Sequence, residues 1–267
     1  MIPSGPSSRE PAALTLKGAA TPAGELADLT KRRAWGEPKS SSGNRLLADL
    51  PAEDFRRVQA VLESVPLSIK RIIYKPGDPI THVYLPSDGF FSVLAVLSNG
   101  DMVEVATVGR EGVIGASIGP MRQSEIALTM VQGRMDVCYR MPALAYQREM
   151  DRRGAFYANI TRYNHAMVGV IMQGTACNAV HSVEQRLAKW LLLAHDRIGA
   201  NSFALTQEFV AMMLGAARPT VTIVAGTLQR AGLITYKRGQ LTVNNRRGLE
   251  DASCECYRAT RNLLAPA

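Results

Sequence analysis

No window of this 267-residue chain approaches the roughly eighteen uninterrupted apolar residues that a membrane-spanning helix requires. The N-terminus also lacks the apolar core of a secretory signal, so the expectation is a soluble, cytoplasmic protein with no membrane partner. Cysteine is scarce, with four residues at 138, 177, 254 and 256. That is too few for a disulfide framework in a chain of this length and fits a reducing compartment. Histidine is equally sparse: His82, His165, His181 and His195 are scattered without the spacing of metal ligands. Cys254 and Cys256, two residues apart, would point to different faces of a helix. They are inert, a redox pair through local fraying, or half of an intersubunit metal site. The inert reading is favoured for want of a second cysteine pair or a nearby histidine. No metal site and no cofactor are therefore expected. No Ser/His/Asp set, paired carboxylates, nucleotide-binding glycine loop or zinc motif is present either, so no residue is assigned a catalytic role and the chain does not read as an enzyme.

What the chain does have is enough apolar content, 46%, for real cores, and a net charge of +8 that is unevenly spread. From residue 181 onward there are eleven Lys and Arg against six Asp and Glu, whereas residues 44–180 carry fourteen against thirteen. The excess positive charge sits in the C-terminal third, where a nucleic-acid reader needs it.

That third contains LTQEFVAMMLGAARPTVTIVAGTLQRAGLITY, residues 205–236. Thr206 is an N-cap candidate, and Phe209, Val210, Met213 and Leu214 form the apolar face of a first helix that Gly215 ends. Ala216, Ala217 and Arg218 make a turn, and Pro219 suits the first position of a second helix whose buried face is Val221, Val224, Leu228 and Ala231. The opposite face is left for double-stranded DNA, with Arg218, Thr220, Thr222 and Ile223 at the end that enters the major groove. LITYKRGQLTV then reads as two strands around Lys237-Arg238-Gly239, a wing lying along the phosphate backbone. The bland alternative, a two-helix surface hairpin with a chance glycine, explains turn, proline, periodicity and basic wing only as coincidence.

This segment closely resembles the helix-turn-helix of the Crp/Fnr transcriptional regulators, and the resemblance runs from about Asn44 to about Val243. It implies an α+β chain: an N-terminal antiparallel β-roll of the jelly-roll type, a long dimerisation helix and a C-terminal winged helix-turn-helix. The corresponding domains are residues 1–43 (a disordered extension), 44–150 (a cyclic-nucleotide-binding-like sensory roll), 151–180 (the dimerisation helix) and 181–267 (the DNA-binding domain). The resemblance also implies homodimers on an inverted-repeat site and RNA polymerase as a further partner. The rival class is a ligand-sensing or protein-interaction module that has lost DNA binding. Arg218 is the expected base reader, because a guanidinium grips guanine O6 and N7 bidentately. Thr206, Thr220, Thr222, Lys237 and Arg238 are expected on phosphates. Pro219 and Ile223 replace a Glu and an Arg of well-known members, so the half-site should differ.

Residues 1–43 are a Pro, Gly, Ser and Ala mixture without periodicity, and their Lys31-Arg32-Arg33 cluster reads as solvated. Residues 46–65 suit short helices. From 67 to 141 the chain shows short β-rich runs (IKRIIY, HVYL, FFSVLAVL, MVEVATV, GVIGA, IALTMV, MDVCYRM) separated by turn residues such as Asn99-Gly100. In cyclic-nucleotide-binding members of the family a glycine turn leads to a Glu for the ribose and then to an Arg with a small hydroxyl residue for the phosphate. Here Ala116 stands for the Glu and Glu125-Ile126 for the Arg pair, and a carboxylate there repels phosphate. Ile171 and Met172 occupy the base-recognition positions, and Arg122 is the remaining substitute phosphate ligand. The roll therefore senses an unknown effector or is structural. The resemblance also raises an iron–sulfur cluster, but the absence of cysteine before Cys138 removes its usual ligands.

Phe156, Ile160, Tyr163, Met167, Val170, Gly174 and Cys177 follow alternating steps of four and three, a heptad seam that predicts a parallel dimer. The competing reading is one amphipathic helix packed on its own roll. Ser182-Val183-Glu184-Gln185 resembles a capping box, which puts the interdomain hinge at His181-Ser182.

Overall fold

The computed structural model describes residues 43–116 and 124–265. The expected extension up to residue 42, its Lys31-Arg32-Arg33 cluster, and Arg122 lie outside the described residues.

Asn44 opens the first helix, α1 (Arg45–Ala48), by accepting from the Leu46 amide at 3.1 Å. Its amide group donates to Pro86 O at 2.9 Å and Gly112 O at 3.0 Å, which ties this entry turn to the roll. After α2 (Ala52–Gln59) come seven strands: β1 (Glu63–Leu67), β2 (Ile72–Tyr74), β3 (His82–Pro86), β4 (Phe90–Val96), β5 (Met102–Val108), β6 (Leu128–Gln132) and β7 (Met135–Pro142). They form two antiparallel sheets in the orders β1-β7-β3 and β2-β6-β4-β5. The Asn99-Gly100 turn joins β4 to β5 as its dipeptide requires, with Gly100 at φ +89°.

The sequence reading needs correcting at three places in the roll. β1 falls where the sequence suggests short helices; it carries Pro66 in an edge strand at a break in register between Val65 and Leu67, where a missing amide costs no ladder bond. The run IKRIIY shortens to Ile72–Tyr74. GVIGA is not a strand but one bridge, Ile114 with Tyr84, followed by Gly115 at φ +78°, where an added Cβ would stand 2.8 Å from the His82 carbonyl.

Behind the roll, α3 (Ala143–Asp151) leads into the long helix α4 (Ala155–Val180). The expected dimer seam is its buried face. Phe156, Ile160, Tyr163 and Val170 belong to the roll's own core, Met167 packs against it, Gly174 faces the Val105 carbonyl, and Cys177 is enclosed with Cys254 and Cys256. The four-three spacing is real, but a helix lying on a β-roll needs such a stripe as much as a coiled coil does. A second stripe, one or two residues further on, is left in solvent: Thr161, His165, Val168, Met172, Thr175 and Ala179 line it, with Val168 57% and Met172 68% exposed.

His181 ends α4 in an extended conformation, and Ser182 caps α5 (Val183–Ile198) through a true capping box: the Gln185 amide donates to Ser182 Oγ, and Gln185 Oε1 accepts from the Ser182 amide at 3.1 Å. Helix α5 lies on the outer face of the β4–β5 sheet. Its Leu187, Trp190 and Leu191 share one core with Phe90, Leu94 and Met130 of the roll and with the helices that follow, and Trp190 meets Phe90 edge-to-face at 6.3 Å. Arg197 enters the roll fully buried. It binds Glu111 Oε1 at 2.6 Å, with each side chain 1% exposed, and lies over Gly109, where a Cβ would strike it at 2.7 Å.

Candidate nucleic-acid interface

Thr206 caps α6 (Gln207–Leu214), accepting from the Phe209 amide at 3.2 Å, and Gly215 closes it in the left-handed conformation at φ +56°. The second helix is α7 (Arg218–Arg230), bent by 107° from the first. That angle lies within the range of helix-turn-helix pairs. The helix begins one residue earlier than the proline suggests: Ala217 is the cap, Arg218 the first helical residue and Pro219 the second. Its missing amide is harmless at either position, since neither has an intrahelical acceptor. The buried face is Val221, Ala225 and Leu228, with Val224 half-buried; Ala231 is exposed, because the helix has ended at Arg230.

Arg218, Thr220, Thr222 and Ile223 all point to solvent, Ile223 with 68% of its surface free. Among the described residues no hydrogen bond or ion pair holds the Arg218 side chain, whose charge helps keep the nearby Tyr236 hydroxyl from rising further than burial pushes it. The Thr222 hydroxyl is already engaged, within reach of Gln207 Oε1 at 2.8 Å and of the Arg218 carbonyl at 3.0 Å. It therefore ties the two helices together at their exposed ends, and Gln207, which no sequence pattern singles out, joins this surface.

The wing is a two-residue hairpin. β9 (Ile234–Lys237) pairs with β10 (Gln240–Val243), Lys237 opposite Gln240, and Arg238 and Gly239 turn the chain with φ of +50° and +76°. Both in the left-handed region is the pattern of a type I′ turn. A third strand, β8 (Ser202–Ala204), pairs with β10; its three residues are too short to show a period in sequence. Tyr236 anchors the wing, donating its hydroxyl to Leu205 O at 2.7 Å and its amide to Gln229 Oε1 at 2.8 Å. Lys237 and Arg238 stay exposed at the tip. The helices α8 (Arg246–Ala252) and α9 (Cys256–Leu263) complete this region, with Arg246 held by Asp196 at 2.7 Å and Tyr257 at 2.6 Å.

Of the positions matched to nucleotide contacts in the roll, the described residues are Ala116 and Glu125-Ile126. Ala116 offers only its carbonyl, which accepts from Tyr146 at 3.2 Å. Glu125 folds back so that its carboxylate accepts the adjoining Ile126 amide at 2.9 Å, and Ile126 is 65% exposed. Inside the roll, Tyr74, Tyr84 and Phe91 pack edge-on at 6.1 and 6.4 Å, and the Tyr74 hydroxyl is tied to the His82 backbone.

A cavity of about 110 Å³ lies instead where roll, long helix and reader meet, lined by Glu104, Thr107, Val170, Arg186, Lys189 and Leu214 among others. Burial pushes the Glu104 carboxyl up to about 7, against hydrogen bonds from Ser92 and from Trp190 Nε1 at 2.7 Å. The reader's first helix closes this side: Gly215 passes so near Val103 on β5 that a Cβ would stand 3.2 Å from it.

The expectation that the cysteines and histidines are unrelated is overturned by position. Cys177, His181, Cys254 and Cys256 converge in one group, the three cysteines buried and His181 half-buried. The one-turn spacing of Cys177 and His181 is a signal in the sequence, but their meeting with Cys254 and Cys256 depends on α9 folding back along α4.

Residues 185–252 match the family of Crp-like helix-turn-helix domains. No curated protein matches the chain. Among solved structures, a Crp-family transcriptional regulator from Thermus thermophilus is 17% identical over 71% of this chain and 96% of its own, with a TM-score of 0.60. A CRP/FNR-family regulator from the same organism is 20% identical over 72% and 98%, with a TM-score of 0.57. The c-di-GMP-responsive global regulator CLP of Xanthomonas campestris is 14% identical over 72% and 99%, with a TM-score of 0.58. At these identities the likeness is one of fold.

Proposed function

Because residues 185–252 are a Crp-like helix-turn-helix domain on a chain with the fold of Crp/Fnr transcriptional regulators, we propose that this protein is a sequence-specific transcription regulator that binds DNA as a homodimer. The observation that carries the reading is the exposed N-terminal end of α7, with Arg218 free to reach outward beside a basic wing. Arg218 reads a base, Thr220 and Ile223 contact the groove, and Lys237 and Arg238 take phosphates. Thr206 and Thr222 act by holding these helices in place, since each hydroxyl already has a partner.

The second copy meets the outer stripe of α4 around Val168 and Met172, which supports a parallel pairing of the two long helices. Two recognition helices related by a two-fold axis then enter successive major grooves about 34 Å apart, so the site is an inverted repeat. The regulator works without cyclic AMP, since Ala116, Glu125 and Ile126 supply neither the ribose nor the phosphate contacts.

Selection of bound fragments from genomic DNA, followed by footprinting, tests the reading. The expected result is a salt-sensitive, sequence-selective footprint with two-fold symmetry. A chain that binds no DNA selectively belongs to the rival class, a sensor acting through protein partners. Calorimetry with cyclic AMP should give a dissociation constant weaker than about 1 μM, the level that corresponds to about 8 kcal/mol.

A further inference from the structure

Cys177 stands in the last turn of α4 and His181 one turn beyond it, on the same side of the helix axis. Cys254 lies in the short link after α8, and Cys256 opens α9. All three thiols are buried, and the ligand atoms of the four residues lie within 4.8 Å of one another. Cys177 Sγ is 3.6 Å from Cys254 Sγ, and Cys256 Sγ is 3.5 Å from His181 Nδ1.

These separations have a specific meaning. A tetrahedron with metal–sulfur bonds of about 2.3 Å and metal–nitrogen bonds of about 2.0–2.1 Å has sulfur–sulfur edges of about 3.8 Å and sulfur–nitrogen edges of about 3.6 Å. The spacing admits one ion at the centre and no multi-iron cluster, whose thiolates stand around an inorganic core. The surroundings also suit thiolate and imidazole ligands. Lys189 Nζ donates to Cys177 Sγ at 3.3 Å and Gln173 Nε2 to Cys256 Sγ at 3.0 Å, which tempers the charge of three thiolates. Glu255 reaches the far nitrogen of His181 at 3.2 Å, the carboxylate contact that orients a metal-bound imidazole.

We propose that Cys177, His181, Cys254 and Cys256 form a mononuclear, tetrahedral zinc site. With three sulfurs, one imidazole and no open position, it is structural: the ion staples the end of the long helix and the His181-Ser182 link to the C-terminal helices of the reader.

Elemental analysis of the full chain purified without chelator should find one zinc per chain retained through dialysis. Cobalt substitution should give the intense ligand-field and sulfur-to-cobalt charge-transfer bands of a tetrahedral thiolate site. Cys254→Ser and Cys256→Ser should abolish stoichiometric zinc, whereas Cys138→Ser, in the roll, should retain it. Glu255→Gln keeps every ligand and should weaken zinc about 10-fold or more in competition with a coloured chelator. Because a ligand variant can fail to fold, the wild-type chain decides. Substoichiometric zinc together with no cobalt charge-transfer band in the folded protein overturns the proposal, and so does a Cys177–Cys254 disulfide found by mass spectrometry in protein isolated from cells.

Discussion

In the reader, Arg218, Thr220 and Ile223 stand exposed beside Lys237 and Arg238, whereas in the roll Glu125 folds onto its own backbone and Tyr74, Tyr84 and Phe91 fill the interior. Both regions keep the architecture of their fold. They differ in whether polar groups are left facing outward for a ligand. A roll survives on alternating apolar strands and well-placed turns, while a phosphate site depends on a few side chains that can be replaced without disturbing those strands. The reader has less latitude, because its cap, glycine turn and proline shape the same few residues that present Arg218.

The largest expected effect tests whether the two regions are one folding unit. Arg197→Ala should cost about 3–5 kcal/mol in urea denaturation, since it removes the ion-pair partner of the buried Glu111 inside the roll. A loss below about 1 kcal/mol would mean that roll and reader are held independently, and the contrast between them would become one between separate domains.

Next in size, Arg218→Ala should cost about 1–3 kcal/mol on the specific site and relax preference at one base pair. Equal losses on specific and random DNA would make Arg218 a phosphate clamp and move base reading to Thr220.

A smaller effect belongs to Glu104, at the junction. Its carboxyl is raised from 4.5 to about 7, so between those values the folded chain holds a proton that the unfolded chain releases. Stability should therefore fall as pH rises through this window, by roughly 1 kcal/mol after allowance for the partial exposure of the residue, and level off above it. Glu104→Gln should flatten the slope in thermal melts run between these pH values. The smallest change is expected for Lys237→Ala, which should weaken all DNA sequences alike and reduce the salt slope by about one.

Much of this was legible in the chain. Thr206, Gly215, Ser182 and Asn99-Gly100 act through bonds to residues a few positions away, so local sequence suffices to place them. The face that α4 turns inward was not legible, because Phe156 to Cys177 and Thr161 to Ala179 share one heptad spacing and only the neighbouring roll decides between them. The same holds for the thiol cluster: Cys177 and Cys254 are 77 positions apart, and their meeting depends on tertiary packing. β8 escapes notice for its brevity and β1 for its proline.

The shared core of Phe90, Leu94 and Met130 with Trp190 and Leu191 has a consequence for the order of assembly during synthesis. Domains are made N-terminal first, and a roll stitched from distant strands is slow to close. Helices α6 and α7 of the reader build from local contacts, but α5 acquires its apolar seat and the partner of its Arg197 only on a finished β4–β5 surface. Synthesis delivers that surface before the helix that needs it, so a pause between the two would lengthen the time available for the roll to close, and a circular permutant that translates the reader first would expose Trp190 and its neighbours until the roll caught up.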